Sequence, residues 1–267
     1  DTVLTASENV KINESGATLC GLSAGDTMTL DQALHALLMQ SANDAAVLIA
    51  ENIGGSLDGF SDMMNQEAAA IGATNSHFVN PHGLTAEDHY VTAYDMYLIF
   101  KEAMQYSEFT QIINLQTYET IYHDGQGNGK EYSCTSTNWY LNGDAQAPDG
   151  VTVIGGKTGT TAAARNCLIL LAKDSSGNQY VSVILNCSER QYLYQEMEGD
   201  EGCAVAMDPT TGAVRALVST PAYDPNDFVM GYTSSAWDAL NSDEAQPLYN
   251  RLSLIHISEP TRPISIS

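Results

Sequence analysis

Two short motifs carry side chains that could handle an acyl group. The first is Ser41-Ala42-Asn43 and the second is Lys157-Thr158-Gly159-Thr160. A serine hydroxyl can pass a proton, an ammonium group can attract a carboxylate, and threonine hydroxyls can donate hydrogen bonds to its oxygens. Acyl transfer through serine also needs an activated nucleophile and an oxyanion hole. The two motifs therefore predict part of such a site.

The nucleophile motif of such sites is Ser-x-x-Lys, which accompanies Ser-x-Asn and Lys-Thr-Gly motifs. No lysine of this sequence has a serine three positions before it. The residues at those positions are Glu8, Leu98, Gly127, Ile154 and Leu170. We therefore expect the chain as written to be inactive, because removing a nucleophile costs many orders of magnitude in turnover.

Each motif also has a purely structural explanation. Ser41-Ala42-Asn43 could be a capping turn between helices, and Lys157-Thr158-Gly159 could simply begin a strand. Their order and the longer matching sequences around them favour common ancestry with acyl-serine enzymes.

The elements around the first motif read as helices. Thr29 and Gln32 have the spacing of a capping box, and the leucines that follow recur at helical spacing. A helix should run into Ser41, and a second over residues 45–53 should stop at Gly54-Gly55. A third helix is predicted to follow Ser56 and to end near residue 72, and a fourth to cover residues 96–104. Residues 125–129 are predicted to form a loop.

The elements around the second motif read as strands. Residues 151–154, 168–171 and 180–185 are rich in β-branched and aliphatic side chains, and residues 174–178 form a turn between the last two. A further hairpin is predicted from residues 204–207 and 213–218 around the turn at 208–212. A helical block followed by an antiparallel sheet predicts an α+β fold.

Composition excludes several classes of partner. The formal net charge is -23, with 10 Lys and Arg against 33 Asp and Glu, which excludes nucleic acid and anionic membranes as partners. We expect no membrane span, no signal peptide and no cofactor in this chain. The cysteines lack a C-x-x-C spacing, so buried free thiols are predicted at Cys20, Cys134, Cys167, Cys187 and Cys203.

Residues 1 to about 197 resemble the D-alanyl-D-alanine carboxypeptidases, the low-molecular-mass penicillin-binding proteins. The resemblance implies a β-lactamase-like α+β fold whose nucleophile helix and two N-terminal strands lie upstream of Asp1. We expect the chain to be cut just downstream of that nucleophile. The matching sequences are Leu22-Ser23-Ala24-Gly25-Asp26, residues 37–46, Asn80-Pro81-His82-Gly83-Leu84, Thr92-Ala93-Tyr94-Asp95 and residues 156–161.

The resemblance also implies a role for each residue of the two motifs. Ser41 would pass a proton to the leaving D-alanine nitrogen, and Asn43 would hold the substrate's amide groups. Lys157 would supply positive potential beside the substrate carboxylate. Thr158 and Thr160 would bind that carboxylate, the Thr160 N–H would form half of the oxyanion hole, and Gly159 would let substrate approach the strand.

The implied substrate is a peptidoglycan stem peptide ending in D-Ala-D-Ala, with β-lactam antibiotics as covalent inhibitors. The implied location is extracytoplasmic, in the cell envelope. Two alternatives stay open: a non-catalytic remnant that only binds peptidoglycan, and a metal-dependent hydrolase using His77, His82 and His89 with Asp88 and Asp95. The histidines lack the H-E-x-x-H pattern, so a structural role in the loop is favoured. A class A β-lactamase is disfavoured because no Glu-x-x-x-Asn lies between the two motifs.

Residues 198–251 resemble the start of the transpeptidase domain of high-molecular-mass penicillin-binding proteins. The simplest hypothesis is a chimera of two related fragments, in which the hairpin of the second pairs with residues 180–185 and replaces the lost strands. Residues 252–267 resemble a translated sequencing adapter, and we exclude them from the fold prediction. The matching sequences of the second fragment are residues 205–212, residues 219–228 and Pro247-Leu248-Tyr249-Asn250-Arg251.

Overall fold

A computed structural model describes residues 2–194, 202–207, 214–220 and 255–256. The fold is α+β, as predicted. The helices are α1 (Leu30–Gln40), α2 (Asn43–Gly54), α3 (Leu57–Ala70), α4 (Ala93–Ala103), α5 (Ser107–Ile112) and α6 (Trp139–Asn142). The strands are β1 (Val3–Thr5), β2 (Thr27–Thr29), β3 (Tyr90–Val91), β4 (Thr117–His123), β5 (Gly129–Thr135), β6 (Thr152–Thr161), β7 (Arg165–Lys173), β8 (Gln179–Cys187), β9 (Gly202–Met207), β10 (Val214–Thr220) and β11 (Ile255–His256).

The predicted capping box starts α1. The Thr29 hydroxyl accepts a hydrogen bond from the Gln32 backbone at 3.1 Å, and the Thr29 N–H donates to the Gln32 side chain at 2.9 Å. The helix ends at Ser41, which adopts the left-handed conformation with φ 62°. Because α2 begins at Asn43, the Ser-x-Asn motif forms the junction between two helices, as predicted.

Helix α2 lies in the centre of the helical block. Every residue from Asn43 to Ala50 is buried, including the two polar residues at its start. It ends, as predicted, where Gly55 takes a left-handed conformation with φ 73°. The predictions for α3 and α4 are confirmed to within a few residues, and α4 packs against β8.

The main sheet is antiparallel, with strand order β10-β9-β8-β7-β6. The predicted hairpin joins β7 and β8. Strands β9 and β10 pair antiparallel, as predicted, and the turn predicted at residues 208–212 lies outside the described residues. Strand β9 pairs with β8 from Val181 opposite Met207 to Leu185 opposite Cys203. The predicted docking of the second hairpin on residues 180–185 is therefore confirmed, and β6 is left at the opposite edge.

A second sheet was not predicted from the sequence. It has strand order β1-β2-β4-β5, and the predicted loop at residues 125–129 lies within its β4–β5 hairpin. Side chains along β4 are mostly exposed or half-buried, so the strand lacks the apolar run that identifies β7 and β8. Helix α1 is joined to this sheet by the Gln32 amide, which donates to the Thr120 hydroxyl at 2.7 Å.

The tail that we exclude from the fold prediction contributes one short strand. Ile255 and His256 pair antiparallel with Val91 and Tyr90, so β11 and β3 form a two-stranded sheet. None of the helices in the described part of the chain combines the length and apolar character needed to cross a membrane.

Close packing between β6 and β7 yields a prediction about stability. A methyl group on Gly156 would lie 2.3 Å from the Ile169 carbonyl oxygen, whereas one on Gly159 would lie 3.9 Å from its nearest neighbour, the Cys167 side chain. We expect Gly156→Ala to lower the free energy of unfolding by about 1–3 kcal/mol, because the strands must separate to admit the methyl group. Gly159→Ala should change it little. Urea unfolding of both variants measures the difference, and equal losses would contradict the packing argument.

Candidate active site

The six residues predicted to form the site border one cavity of about 540 Å³. Ser41 and Asn43 reach it from the α1–α2 junction, and Lys157, Thr158, Gly159 and Thr160 reach it from β6. The remaining wall comes from residues 14–18, 82–85 and 161–162 and from Gln40, Thr137 and Arg190. Of these, Thr137 and Arg190 are not predicted from the sequence to belong to any site.

The centre of the cavity is a contact between Lys157 and Ser41. The Lys157 ammonium donates a hydrogen bond to the Ser41 hydroxyl, and it also donates to the Thr158 carbonyl oxygen at 2.6 Å. The left-handed backbone of Ser41, which costs a non-glycine residue roughly 1–2 kcal/mol, places this hydroxyl beside the strand. The two motifs therefore meet across the boundary between the helical block and the main sheet.

The environment of Lys157 makes its ammonium group easier to deprotonate than that of an exposed lysine. Burial, and secondarily the positive charge of Arg190, lower the pKa of Lys157 from 10.5 to about 8. The ammonium remains mostly protonated at neutral pH, and it loses its proton far more readily than an exposed lysine. It can therefore serve as a cation for a carboxylate and exchange a proton with the Ser41 hydroxyl.

Asn43 and Asp44 hold the loop that forms one wall of the cavity. The Asn43 backbone N–H and side-chain amide both donate to the Thr18 carbonyl oxygen, at 2.9 and 3.0 Å. The buried Asp44 carboxylate accepts the backbone N–H groups of Cys20 and Gly21, both at 2.9 Å, and that of Leu22 at 3.0 Å. The sequence pattern alone predicts no role for Asp44, although this residue directly follows the Ser-x-Asn motif.

The threonines of the second motif differ in their surroundings. Thr158 is buried, and its hydroxyl lies 2.6 Å from the Thr137 hydroxyl. Thr160 is exposed, and its hydroxyl donates to the Asn166 side chain at 3.3 Å. A ligand can therefore reach the Thr160 hydroxyl directly, whereas the Thr158 hydroxyl is already oriented by a partner.

Arg190 places a second cation at the cavity. Its guanidinium donates to the Thr137 carbonyl oxygen at 2.6 Å and lies 5.2 Å from the centre of the Trp139 ring. Its Nε is buried and has no hydrogen-bond partner among the described residues. No spacing in the sequence links Arg190 to Lys157, because the chain passes through β7 and β8 before it returns to the cavity.

The histidines considered as metal ligands instead hold the loop at residues 77–92. His77 contacts the Asp88 carboxylate at 3.1 Å, and the His89 ring accepts a hydrogen bond from the Val79 N–H at 3.2 Å. Asp95 accepts from the Ser76 hydroxyl at 2.8 Å. Within residues 2–194, no three His, Cys, Asp or Glu side chains are grouped so that they could hold a metal ion. These contacts favour the structural role over the metal-dependent hydrolase.

The described cysteines are free thiols. Cys20, Cys134 and Cys187 are buried, and Cys167 is half-buried. The side chain of Cys203 lies outside the described residues. The prediction of buried free thiols is therefore confirmed for Cys20, Cys134 and Cys187, whereas Cys167 is free but only half-buried.

Comparison with known protein families separates the chain into two parts. The sequence profile of the D-alanyl-D-alanine carboxypeptidase family matches residues 1–189. The profile of the penicillin binding protein transpeptidase domain matches residues 202–254. The boundary falls between β8 and β9, where the sequence analysis also divides the chain.

Individual relatives agree with this division. D-alanyl-D-alanine carboxypeptidase DacF of Bacillus subtilis is 35% identical over 187 residues, which cover 68% of this chain and 45% of the relative. Peptidoglycan D,D-transpeptidase MrdA of Escherichia coli is 44% identical over 71 residues, 27% of this chain and 11% of the relative. The chain thus spans less than half the length of these curated relatives.

Solved structures share the fold. The Streptomyces K15 DD-transpeptidase superimposes with a TM-score of 0.62 at 26% identity, covering 69% of this chain and 71% of that one. The D-alanyl-D-alanine carboxypeptidase of Mycobacterium tuberculosis superimposes with a TM-score of 0.57 at 30% identity, and the match covers 68% of this chain and 64% of that one.

The proximity of Arg190 to Lys157 yields a prediction about titration. Arg190→Gln removes one of the two causes that depress the pKa of Lys157, so this pKa should rise above about 8. NMR detection of the lysine side-chain signals across pH 6–11 measures it. Lys173→Gln is the matched control, because Lys173 pairs with Thr152 at the far end of β6. An unchanged pKa in Arg190→Gln would show that burial alone sets it.

The burial of His89 predicts a loss of stability in acid. Desolvation, followed by the charges of His82 and His77, lowers the pKa of His89 from 6.5 to about 4. The unfolded chain therefore binds more protons between pH 6.5 and 4, and stability falls as the pH falls through that window, by about 3 kcal/mol for this group.

His89→Asn keeps a hydrogen-bond acceptor for the Val79 N–H but cannot take up the proton. We expect this variant to lose less stability than the wild type between pH 7 and pH 4.5, as measured by urea unfolding. If both proteins lose the same amount, His89 is not the group that titrates.

Proposed function

Because the chain belongs to the D-alanyl-D-alanine carboxypeptidase family over residues 1–189, we propose that its cavity binds the D-Ala-D-Ala end of a peptidoglycan stem peptide. The observation that carries this proposal is the Lys157 ammonium held beside the Ser41 hydroxyl. A chain with a net charge of -23 repels anions, and a substrate that ends in a free carboxylate must therefore find a local cation.

Positive charge and hydroxyl donors converge where the carboxylate would lie. Lys157 and Arg190 both border the cavity, and the exposed Thr160 hydroxyl lies on the same strand as Lys157. We assign carboxylate binding to Lys157, Thr158 and Thr160, and Arg190 supports it by its charge.

The position of β6 also suits a peptide substrate. Strand β6 lies at the edge of the main sheet, so the backbone groups on its outer side are not used by another strand of that sheet. An extended peptide can add to such an edge through main-chain hydrogen bonds. Gly159 and Thr160 are exposed on this strand, and the Thr160 N–H would form half of an oxyanion hole.

The chemistry proposed for these residues is one half of acyl transfer. Ser41 would relay a proton toward the leaving D-alanine nitrogen, with Lys157 raising the local positive potential, while Asn43 orients the peptide. The bond-breaking attack requires a serine from a Ser-x-x-Lys motif, and none occurs in residues 1–267. We therefore propose that this stretch of chain holds the substrate and does not cleave it.

The setting of that activity follows from the substrate. Peptidoglycan lies outside the cytoplasmic membrane, so we place the protein in the cell envelope, with β-lactams as competing ligands. We assign recognition to residues 1–197. Residues 198–251 are a transpeptidase-type fragment whose hairpin extends the main sheet.

A peptide titration tests substrate recognition. Diacetyl-Lys-D-Ala-D-Ala should bind the purified chain at pH 7 and more weakly at pH 9.5, because the free site loses the Lys157 proton near pH 8. Lys157→Met should weaken binding at least about tenfold, the loss expected for one charge-assisted hydrogen bond. Isothermal titration calorimetry measures both effects.

Lys173→Met is the control, since it removes an exposed cation from the same sheet and should leave the affinity unchanged. The carboxamide form of the peptide should bind as weakly to the wild type as the acid binds to Lys157→Met. Equal affinities for acid and carboxamide would refute carboxylate recognition. A covalent band after incubation with fluorescent penicillin would refute the proposed lack of acylation.

A further inference from the structure

Residues 14–18 form the part of the cavity wall that is attached to Asn43. The Asn43 backbone N–H and side-chain amide both donate to the Thr18 carbonyl oxygen. Four residues earlier, Glu14 begins a turn that is closed when the Ala17 N–H donates to the Glu14 carbonyl oxygen at 3.2 Å. The wall is therefore a short turn fixed to the Ser-x-Asn motif, and it carries a glutamate side chain.

Glu14 has the opposite charge from the other ionised groups of the cavity. Lys157 on β6 and Arg190 after β8 supply two cations, and Glu14 is the single carboxylate among the described residues that line the cavity. His82 also lines it, but burial lowers the pKa of its ring below the usual 6.5, so it carries little charge at neutral pH. The cavity thus offers positive charge from the main sheet and negative charge from residues 14–18.

The Glu14 carboxylate is available to a ligand. The residue is exposed, and none of the ion pairs among the described residues includes it. Many other carboxylates of this acidic chain are exposed as well. Glu14 differs from them in lining the cavity that also holds Lys157. A ligand bound there can therefore meet a cation and an anion at the same time.

A bound peptide would pass these groups in a defined order. Lys157 contacts Ser41, Asn43 follows two residues later, and Asn43 is hydrogen-bonded to the wall at residues 14–18. A peptide with its carboxylate at Lys157 and its amide groups at Asn43 would therefore continue toward that wall. An extended chain advances about 3.3–3.6 Å per residue, so the residue before D-Ala-D-Ala begins roughly 7 Å from the last Cα. A long side chain at that position extends toward Glu14.

From this arrangement we infer that Glu14 selects stem peptides in which the residue before D-Ala-D-Ala carries a free side-chain ammonium group, as in a basic diamino acid. The inference rests on the proposed binding of D-Ala-D-Ala beside Lys157 and adds the chemical class of the preceding residue. The ammonium group would pair with Glu14 while the terminal carboxylate pairs with Lys157. Because ion pairs at exposed sites are weak, the expected preference is about threefold.

Peptides that differ in one group test this inference on the full chain. Nα-acetyl-Lys-D-Ala-D-Ala has a free ε-ammonium group, whereas the second acetyl group of diacetyl-Lys-D-Ala-D-Ala removes that charge. Isothermal titration calorimetry at pH 7 should show about threefold tighter binding of the free-amine peptide, and this ratio should fall toward one as salt is added. Nα-acetyl-Glu-D-Ala-D-Ala should bind more weakly than either, because its side chain repels Glu14.

Four variants locate the preference. Glu14→Gln should bring the ratio to about one by weakening the free-amine peptide alone, and Glu14→Lys should favour Nα-acetyl-Glu-D-Ala-D-Ala instead. The matched control is Glu8→Gln, which removes an exposed carboxylate of the same segment that does not line the cavity and should keep the ratio. Lys157→Met should weaken both lysine peptides equally, since Lys157 contacts the other end of the ligand.

Each outcome decides the inference. It is supported if the preference disappears in Glu14→Gln, reverses in Glu14→Lys and persists in Glu8→Gln. It is overturned if the wild type binds both lysine peptides equally well, a result that leaves the proposed D-Ala-D-Ala binding intact. Loss of the preference in Glu8→Gln would also overturn it, because the overall negative charge would then be its cause. If neither peptide binds the wild type, the proposed function and this inference are both wrong.

Discussion

The contact between Lys157 and Ser41 joins the two halves of this fold. An ammonium group loses hydration when it is buried, and here it instead donates hydrogen bonds to the Ser41 hydroxyl and the Thr158 carbonyl oxygen. The nearby Arg190 charge opposes the same arrangement, and Arg190 is held by the Thr137 carbonyl and the Trp139 ring. Two cations are thus kept close together against their mutual repulsion. A cavity built in this way is best neutralised by an anionic ligand.

The cavity wall opposite β6 depends on residues 18–22, which hydrogen bonds hold from two sides. The Gly21 N–H donates to the Asp44 carboxylate at 2.9 Å, while its carbonyl oxygen accepts from the Tyr122 hydroxyl at 3.0 Å and the Lys130 ammonium at 3.1 Å. Lys130 also pairs with the buried Asp26 at 2.8 Å. No residue of β4 or β5 lines the cavity. The β4–β5 hairpin therefore acts on the site indirectly, by holding residues 18–22 in place.

The sequence predicts the parts of this structure whose signals are local. The capping box at Thr29, the stop at Gly54-Gly55 and the turn at residues 174–178 are short-range patterns, and all three occur as predicted. The second sheet is missed because β4 is largely exposed and carries no apolar run. Arg190 and Thr137 are missed for a different reason. They reach the cavity only because distant strands and loops pack together, and their spacing along the chain does not predict this.

The main sheet shows how two segments that match different family profiles can share one sheet. The side chains of β8 are buried on both faces, with Val181 and Val183 in one core cluster and Ile184 and Cys187 in another. A strand of this kind needs hydrogen-bonded partners on both edges, since an open apolar edge promotes aggregation. Strand β7 covers one edge of β8 and β9 covers the other. The hydrogen bonds between strands join main-chain groups, so they depend on the register of the two strands more than on their side chains. The matched register from Val181 to Leu185 therefore lets a transpeptidase-type hairpin close the edge of a carboxypeptidase-type sheet, while β6 remains the edge strand at the far side.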